Sequence, residues 1–390
     1  MKFSVLLPTR NRLALLRYAV ETVTRQDYPD WEIVVSDNHS EEDIAGFVKN
    51  LQDPRVRYFR TEGFIPVTEN WNRAIEHSTG DYIIMLGDDD GLTRGYFRRI
   101  RELLLRFDRP EVIYSNAYLF AYPGVMPGHP EGCLCVATPP ALRNITEPFL
   151  LERGTALHWV RQSMNLNSRI AFNMQYALFS RELFQKIRGK FPFFQSPYPD
   201  YYAMNALFLE AGRILMCPDP LVIVGISPKS FGYFYFNRQE TRGIDFLKNL
   251  TEKDQIERLR DTLLPGTAMN DCFLIAMEAL STNYGKEFGL WANRKRYRYL
   301  QALYVFANYY LERNLQKNDV DALWRRLRFA ERCTYGLFLP LVLTLARIAP
   351  SRRAKRLREI FLRITNKIPV LDRNVADHRL NNLLEAFEET

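Results

Sequence analysis

Cysteine is scarce in this chain: five in 390 residues, with only Cys133 and Cys135 close together and no CxxC pair. That excludes a disulfide framework and a zinc site built on paired thiols, and it points to free thiols in a reducing compartment. The histidines at 39, 77, 129, 158 and 378 show no ligand spacing and read as structural or surface residues. Long apolar runs are missing too. The N-terminus, MKFSVLLPTRNR, has too short an apolar stretch for a signal peptide and reads as a strand. The uncharged stretch from Cys333 to Ala346 is interrupted by Pro340 and falls short of the roughly 20 apolar residues of a spanning helix. No internal repeat or low-complexity tract is present. Hydrophobic residues at 47% and charged residues at 25% exclude wholesale disorder. The length suits one large domain with an appendage, or two domains.

The charge is uneven. The chain carries a net +8, yet residues 293–363 hold 17 Lys/Arg against 5 Asp/Glu, so the rest is slightly acidic. A basic segment this dense suggests an anionic partner. Arg294-Lys295-Arg296, Arg325-Arg326, Arg352-Arg353 and Lys355-Arg356 recur in helical stretches around the apolar run Leu337 to Leu343. Basic helices beside an apolar run suit an anionic membrane surface. Nucleic acid is not expected, because no recognised module accompanies the charge.

The first 115 residues alternate strand and helix signals. Strands are expected at 3–7, 31–36, 56–59, 82–86 and 112–114, with helices near 13–25, 42–51, 68–77 and 94–107. Such alternation implies βαβ units and a mostly parallel sheet. Ligands of these sheets sit beyond the carboxyl ends of the strands. Three polar clusters fall there: Pro8-Thr9-Arg10-Asn11, Ser36-Asp37-Asn38 and Asp88-Asp89-Asp90. Residues 122–161, rich in Pro and Gly, read as a loop-rich insertion facing a substrate. Mixed α/β resumes to about residue 225, with a strand at 220–224. Beyond about residue 242 only helices are expected, at 243–264, 268–284, 296–311, 320–332 and 352–365. The boundary falls near 240, giving an α/β domain over 1–240 and a helical region over 241–390.

Three adjacent carboxylates at the end of a buried strand repel one another, and a hard cation such as Mg²⁺ or Mn²⁺ relieves that repulsion. Mg²⁺ is usually shared between one or two carboxylates and substrate phosphates. Asp88-Asp89-Asp90 therefore reads as a metal–diphosphate site. Asp37, at another strand end, has the chemistry to accept from a nucleobase N–H or a ribose hydroxyl. Arg10 and Arg12 both offer a guanidinium to a phosphate, and the residues alone do not choose between them.

SVLLPTRNR, IVVSDNHSEED and DYIIMLGDDDGL, in that order and spacing, resemble the motifs of family 2 glycosyltransferases. The resemblance covers about residues 1–240 and is strongest before residue 100. It implies a GT-A fold, with a nucleotide-sugar half over 1–115 and an acceptor half over 116–240. It also implies inverting transfer of a sugar from a nucleotide diphosphate donor, UDP before GDP or dTDP, with Mn²⁺ or Mg²⁺. Pro8 and Asp37 match base-contacting positions, with Arg10 and Asn11 beside them. Asp88 matches the ribose–diphosphate position and Asp89 the metal ligand, with Asp90 able to exchange roles with Asp89. Gly87 stands where many members have Asp. Asn72 matches a donor-site Asn. The family's base lies in an acidic segment before a later helix, which Asp200 fits; its alternative role is a helix N-cap or first-turn acid. Lys229, in Ser227-Pro228-Lys229-Ser230, could close over the diphosphate. Gln175 and Tyr176 fall in the acceptor half.

The implied acceptor is a glycan or lipid-linked glycan, in bacterial surface-polysaccharide assembly at the cytoplasmic face of the membrane. Three rivals stay open: a polyprenyl-phosphate sugar transferase, a nucleotidyltransferase, and an inactive nucleotide-sugar-binding or scaffold protein.

Overall fold

The computed structural model describes residues 1–126, 130–237, 257–312, 314–349, 352–365 and 376–390. The described residues divide into two compact units. The first holds 1–163, 168–237 and 376–390; the second holds 164–167 and those from 257 to 365.

The first unit is built on a mixed sheet. β1 (Phe3–Thr9), β2 (Trp31–Asp37) and β4 (Tyr82–Met85) are buried along their whole length, which is why they read as near-continuous apolar runs. β3 (Val56–Arg60) is half-buried. Between them lie α1 (Leu13–Thr24), α2 (Ile44–Asn50) and α3 (Val67–Glu76). α1 buries Leu16, Ala19, Val20 and Val23, the stripe its periodicity predicts. The strands pair in parallel in the order β3-β2-β1-β4. Their carboxyl ends therefore share one edge, and Thr9 lies opposite Asp37.

The short β5 (Gly91–Leu92) and α4 (Tyr96–Arg106) lead to β6 (Val112–Ala121). Then come β7 (Gly132–Val136), β8 (Phe149–Leu151), α5 (Arg153–Met164), β9 (Ala177–Ser180), α6 (Arg181–Arg188) and α7 (Pro199–Glu210). β10 (Ile214–Ile226) runs parallel to β6 and is followed by α8 (Phe231–Phe236). β9 enters antiparallel between β4 and β6. The insertion expected at 122–161 is thus less loop-rich than its composition suggests, since it holds β7, β8 and most of α5. β6 and β10 are also longer than expected. β10 passes Pro218 and Pro220 by shifting its register against β6 between Cys217 and Val222.

The second unit is helical: α9 (Ala268–Phe288), α10 (Arg294–Ala307), α11 (Lys317–Arg326), α12 (Leu337–Ile348) and α13 (Arg352–Thr365). Leu303, Phe306, Leu323, Leu327, Leu339 and Leu343 form its core. The helix expected over 243–264 lies mostly outside the described residues. One expectation is corrected. The helical stretch Phe329–Ile348 continues through Pro340 and, at 20 residues, is long and apolar enough by length and composition to cross a membrane.

The last residues were expected to continue the helical region, but they fold onto the first unit. β11 (Ala376–Leu380) pairs antiparallel with β7, and α14 (Leu383–Glu388) buries Leu383, Ala386 and Phe387. A short edge strand and a two-turn helix are too brief to show a period, so their place is set by their partners. The five cysteines are all free.

Candidate active site

The acidic triplet follows β4 directly, and its carboxylates are all buried. They do not converge on one point; each is held by different groups. Asp88 accepts from Thr9 Oγ1 at 2.8 Å and from Arg12 Nη1 at 2.9 Å. Asp89 Oδ2 accepts from Ser227 Oγ at 2.7 Å and from Ser230 Oγ. Asp90 Oδ1 accepts from Gly225 N at 2.8 Å, while its Oδ2 accepts from Gly87 N at 2.6 Å and from Gln175 Nε2. Asp89 Oδ1 has no hydrogen bond and lies 3.9 Å from Arg12 Nη1.

The glycine at 87 has a physical reason. A Cβ there would sit 2.7 Å from Asp90 Oδ2, the oxygen that Gly87 N binds. Gly225 is tighter still, since a Cβ would meet the Asp89 carbonyl oxygen at 1.8 Å. Neither position accepts a side chain without moving the triplet.

Burial pushes the Asp88 carboxyl up; Arg12 opposes the shift and Asp89 adds to it. Asp90 is pushed up to about 7, by burial first and by the charge of Asp89 second. Burial works against the Arg12 guanidinium, but Asp88 and Asp89 hold it firmly charged.

Two buried polar atoms beside the triplet lack a partner: the Tyr122 hydroxyl, which burial and the three aspartates push up, and Gln175 Oε1. Orphaned buried atoms are costly and suggest an absent ligand. Among the described residues no cluster of three or more His, Cys, Asp or Glu side chains would hold a metal alone. The open Asp89 oxygen and Gln175 Oε1 are hard donors that fit a cation shared with substrate phosphates.

The other expected donor-site residues spread along the same edge. Asp37 is fully buried and accepts from Ser40 N at 2.9 Å and Tyr58 Oη at 2.7 Å. Pro8 lies opposite Ser36 in the strand register. Asn11, at φ 52°, accepts from Glu41 N and shapes the loop after β1. Arg10 stacks on the Phe64 ring at 3.6 Å, so Arg12 is the guanidinium that reaches the triplet. Lys229 Nζ donates to the Asn11 carbonyl at 2.7 Å, and Arg12 donates to the Lys229 carbonyl, tying the loop after β10 to the loop after β1. Asn72 spends both ends of its amide on the Phe194 backbone, at 3.0 Å each. Asn70 instead reaches the β2 end, pairing with Ser36.

Asp200 occupies the first turn of α7. It is half-buried, and burial pushes its carboxyl up to about 7 against the N–H of Tyr201. The Tyr201 ring packs 4.7 Å from Phe172, just before Gln175. The Tyr198 ring lies 5.0 Å from Phe231, just after Ser230. The tyrosines flanking Asp200 thus pack beside the segments that carry Gln175 and Ser230. Sequence reasoning assigned no role to Thr9, Ser227, Ser230, Asn70, Tyr58 or Tyr122. Thr9 and the two serines gave a signal, through the polar cluster at the end of β1 and the loop after β10.

A family model, Glycosyl transferase family 2, matches residues 4–124. One relative is GalNAc(5)-diNAcBac-PP-undecaprenol beta-1,3-glucosyltransferase of Campylobacter jejuni, 38% identical over 97 residues, 24% of this chain and 31% of that one. Another is a protein of Escherichia coli K12 named for colanic acid biosynthesis, the glycosyl transferase WcaA, 26% identical over 250 residues, 62% of this chain and 82% of that one. The chain thus spans under a third of the first relative's length. The structure of S. aureus TarS 1-349 with UDP-GlcNAc aligns over 94% of this chain and 91% of that one, at 14% identity and a TM-score of 0.46, too loose a likeness to carry weight. The stretch that matches the Glycosyl transferase family 2 model, residues 4–124, is the one whose sheet edge gathers Thr9, Asp37 and Asp88 to Asp90.

Proposed function

We propose that the chain transfers a sugar, with inversion, from a nucleoside diphosphate donor, a UDP-sugar foremost, to a hydroxyl of a glycan or lipid-linked glycan. The reading is supported above all by the meeting of β1, β2 and β4 at one edge, where a buried, partly unpaired acidic triplet stands beside a guanidinium.

In this reading Asp37 receives the nucleobase and Asp88 the ribose side of the donor. Asp89, through Oδ1, and Gln175 Oε1 would hold a divalent cation. When bound, that cation supplies positive charge to the departing diphosphate. Arg12 adds a second charge, fixed in place by Asp88 and the Lys229 carbonyl. Asp90 is committed to Gly87, Gly225 and Gln175, so its part is to position Asp89 and Gln175.

Asp200 takes the proton of the acceptor hydroxyl as its oxygen attacks the anomeric carbon from the face opposite the leaving group. The bond to the diphosphate breaks, and the nucleoside diphosphate departs. A carboxyl near 7 is suited to this, because a base works best with a pKa close to the working pH. A polyprenyl phosphate acceptor is already an anion and would not need such a group.

The test is release of nucleoside diphosphate from UDP-sugars with Mn²⁺ and a glycan acceptor. Turnover is expected from the native chain and is expected to fall by about 10²-fold or more in Asp89→Ala. Pyrophosphate release would make the chain a nucleotidyltransferase. No release with any donor would leave a binding protein.

A further inference from the structure

Among the described residues of the second unit, one helix face is uncovered. α12 turns Leu339, Leu343 and Ala346 into the core. Its other side carries Leu337, Phe338, Leu341, Leu345 and Ile348, each between 57% and 72% exposed. Leu337, Leu341, Leu345 and Ile348 are spaced by four, four and three, so they form one continuous stripe. Single exposed leucines need no explanation, but a stripe of this kind marks a contact surface. α13 extends it with the exposed Leu357 and Ile360. Between the helices runs an apolar groove of about 270 Å³, lined by Val342, Leu345, Ala349 and Leu357, with Arg353 its one charged residue.

The rim is basic. Arg347 closes α12, and α13 opens with Arg352, Arg353, Lys355, Arg356 and Arg358. From Arg332 to Arg363 the chain has eight Lys/Arg and a single acid, Glu359. A second copy of this face would meet it with like charge. A membrane-crossing α12 would have to pull Leu339 and Leu343 out of the core. An anionic bilayer surface fits both features: its acyl boundary receives the stripe, and its headgroup phosphates face the arginines.

We propose that α12 and the start of α13 dock the protein on an anionic phospholipid surface, with the Leu337-to-Ile348 stripe lying in the interface. The inference is independent of the sugar-transfer reading, because it is tested without donor or acceptor.

The experiment is flotation of the full chain with vesicles of phosphatidylglycerol and phosphatidylcholine, and with phosphatidylcholine alone, at about 0.1 M and about 1 M salt. Strong flotation is expected only with the anionic vesicles at low salt. Leu341→Gln combined with Leu345→Gln is expected to weaken it about tenfold or more. Arg353→Gln and Arg356→Gln are expected to weaken it about fivefold each. These side chains lie on the surface, and a thermal melt confirms that each variant folds. Absence of flotation with anionic vesicles overturns the proposal, as does undiminished flotation of the leucine variant. A solution dimer that the leucine variant splits would assign the face to a second copy. Binding that resists both high salt and alkaline extraction would mean a spanning helix. Either result also overturns it.

Discussion

Glu32 and Asp90 are buried carboxylates of the same sheet, at opposite ends of it, and their environments move them in opposite directions. Glu32 stands near the start of β2. Burial opposes its charge, but Ser4 Oγ at 2.7 Å, the amide and hydroxyl of Thr79 and Lys2 Nζ at 3.0 Å overcome it and hold the carboxyl at about 2; Arg57 Nη1 also lies at 3.0 Å. Asp90, beyond the end of β4, also accepts three hydrogen bonds. It has no cation of its own and has Asp89 beside it, so burial wins and it rises to about 7. Asp88 rises as well, although Arg12 is 2.9 Å away. Glu32 is held down by its hydrogen bonds, one of them from a cation, whereas at Asp88 and Asp90 burial and the charge of Asp89 outweigh the bonds they accept. The amino-terminal edge is neutralised from within, while the carboxyl-terminal edge is left short of positive charge. Upward-shifted carboxyls gathered at one edge are also what a functional site tends to collect.

The largest expected effect is at Asp200, on the first turn of α7. In the proposed reaction Asp200, also near 7, has to be ionised to take a proton. Transfer efficiency should therefore rise about tenfold per pH unit below 7 and level off above it. Asp200→Asn should lower kcat by about 10²- to 10⁴-fold and abolish this limb of the profile. Nucleotide binding, measured by titration calorimetry, should change little. An unchanged pH profile in the variant would remove Asp200 from the chemistry and leave it as a first-turn acid of α7.

The carboxyl-terminal edge of the sheet was the most legible part of the sequence. An apolar strand running straight into Gly87-Asp88-Asp89-Asp90 shows its direction and its stop, and Asp200 was visible as an acid opening a helix. What the sequence did not reveal depends on contacts made far along the chain. Asn72 matches a motif position, but its partner is Phe194, 122 residues away. Ser227 and Ser230 reach Asp89 across 138 and 141 residues. The reason for Gly87 is the folded-back carboxylate of Asp90, and no local pattern encodes that. β11 and α14 have too few residues for a period to emerge. The exposed stripe of α12 was readable as an apolar run, but which of its leucines face outward follows only from where Leu339 and Leu343 pack.

A smaller effect is expected at the amino-terminal edge. Glu32→Gln keeps the shape and removes the charge that Lys2, Arg57, Ser4 and Thr79 share. Stability should fall by about 2 kcal/mol, the scale of hydrogen bonds to a charged group, read from urea unfolding. The sign of the pH dependence follows from a carboxyl held below its ordinary value. The contribution of Glu32 is complete above about 4.5 and is lost as pH falls toward 2. The native chain and the variant should thus converge in stability in strong acid. Sugar transfer at pH 7 should be unaffected in the folded variant, because Glu32 is at the far end of the sheet from the triplet.

The smallest effect is expected where charges pair without burial. Glu388, on α14, meets Arg25 at 2.8 Å and Arg94 at 3.3 Å, with half of its side chain open to water. Its distance to Arg25 is shorter than that of either ion pair of Glu32, at 3.0 Å each. If distance alone set the energy, Glu388→Gln would cost as much as Glu32→Gln. Solvent screening instead limits such pairs to about 1 kcal/mol or less, and that remainder should shrink with added salt. α14 should stay docked in the variant, since Leu383 and Phe387 are buried beneath it. Urea unfolding of the two variants side by side at low and high salt separates the cases. A Glu388→Gln loss as large and as salt-resistant as that of Glu32→Gln would mean that contact distance, not burial, governs charge in this protein, and the contrast between the two edges of the sheet would lose its physical basis.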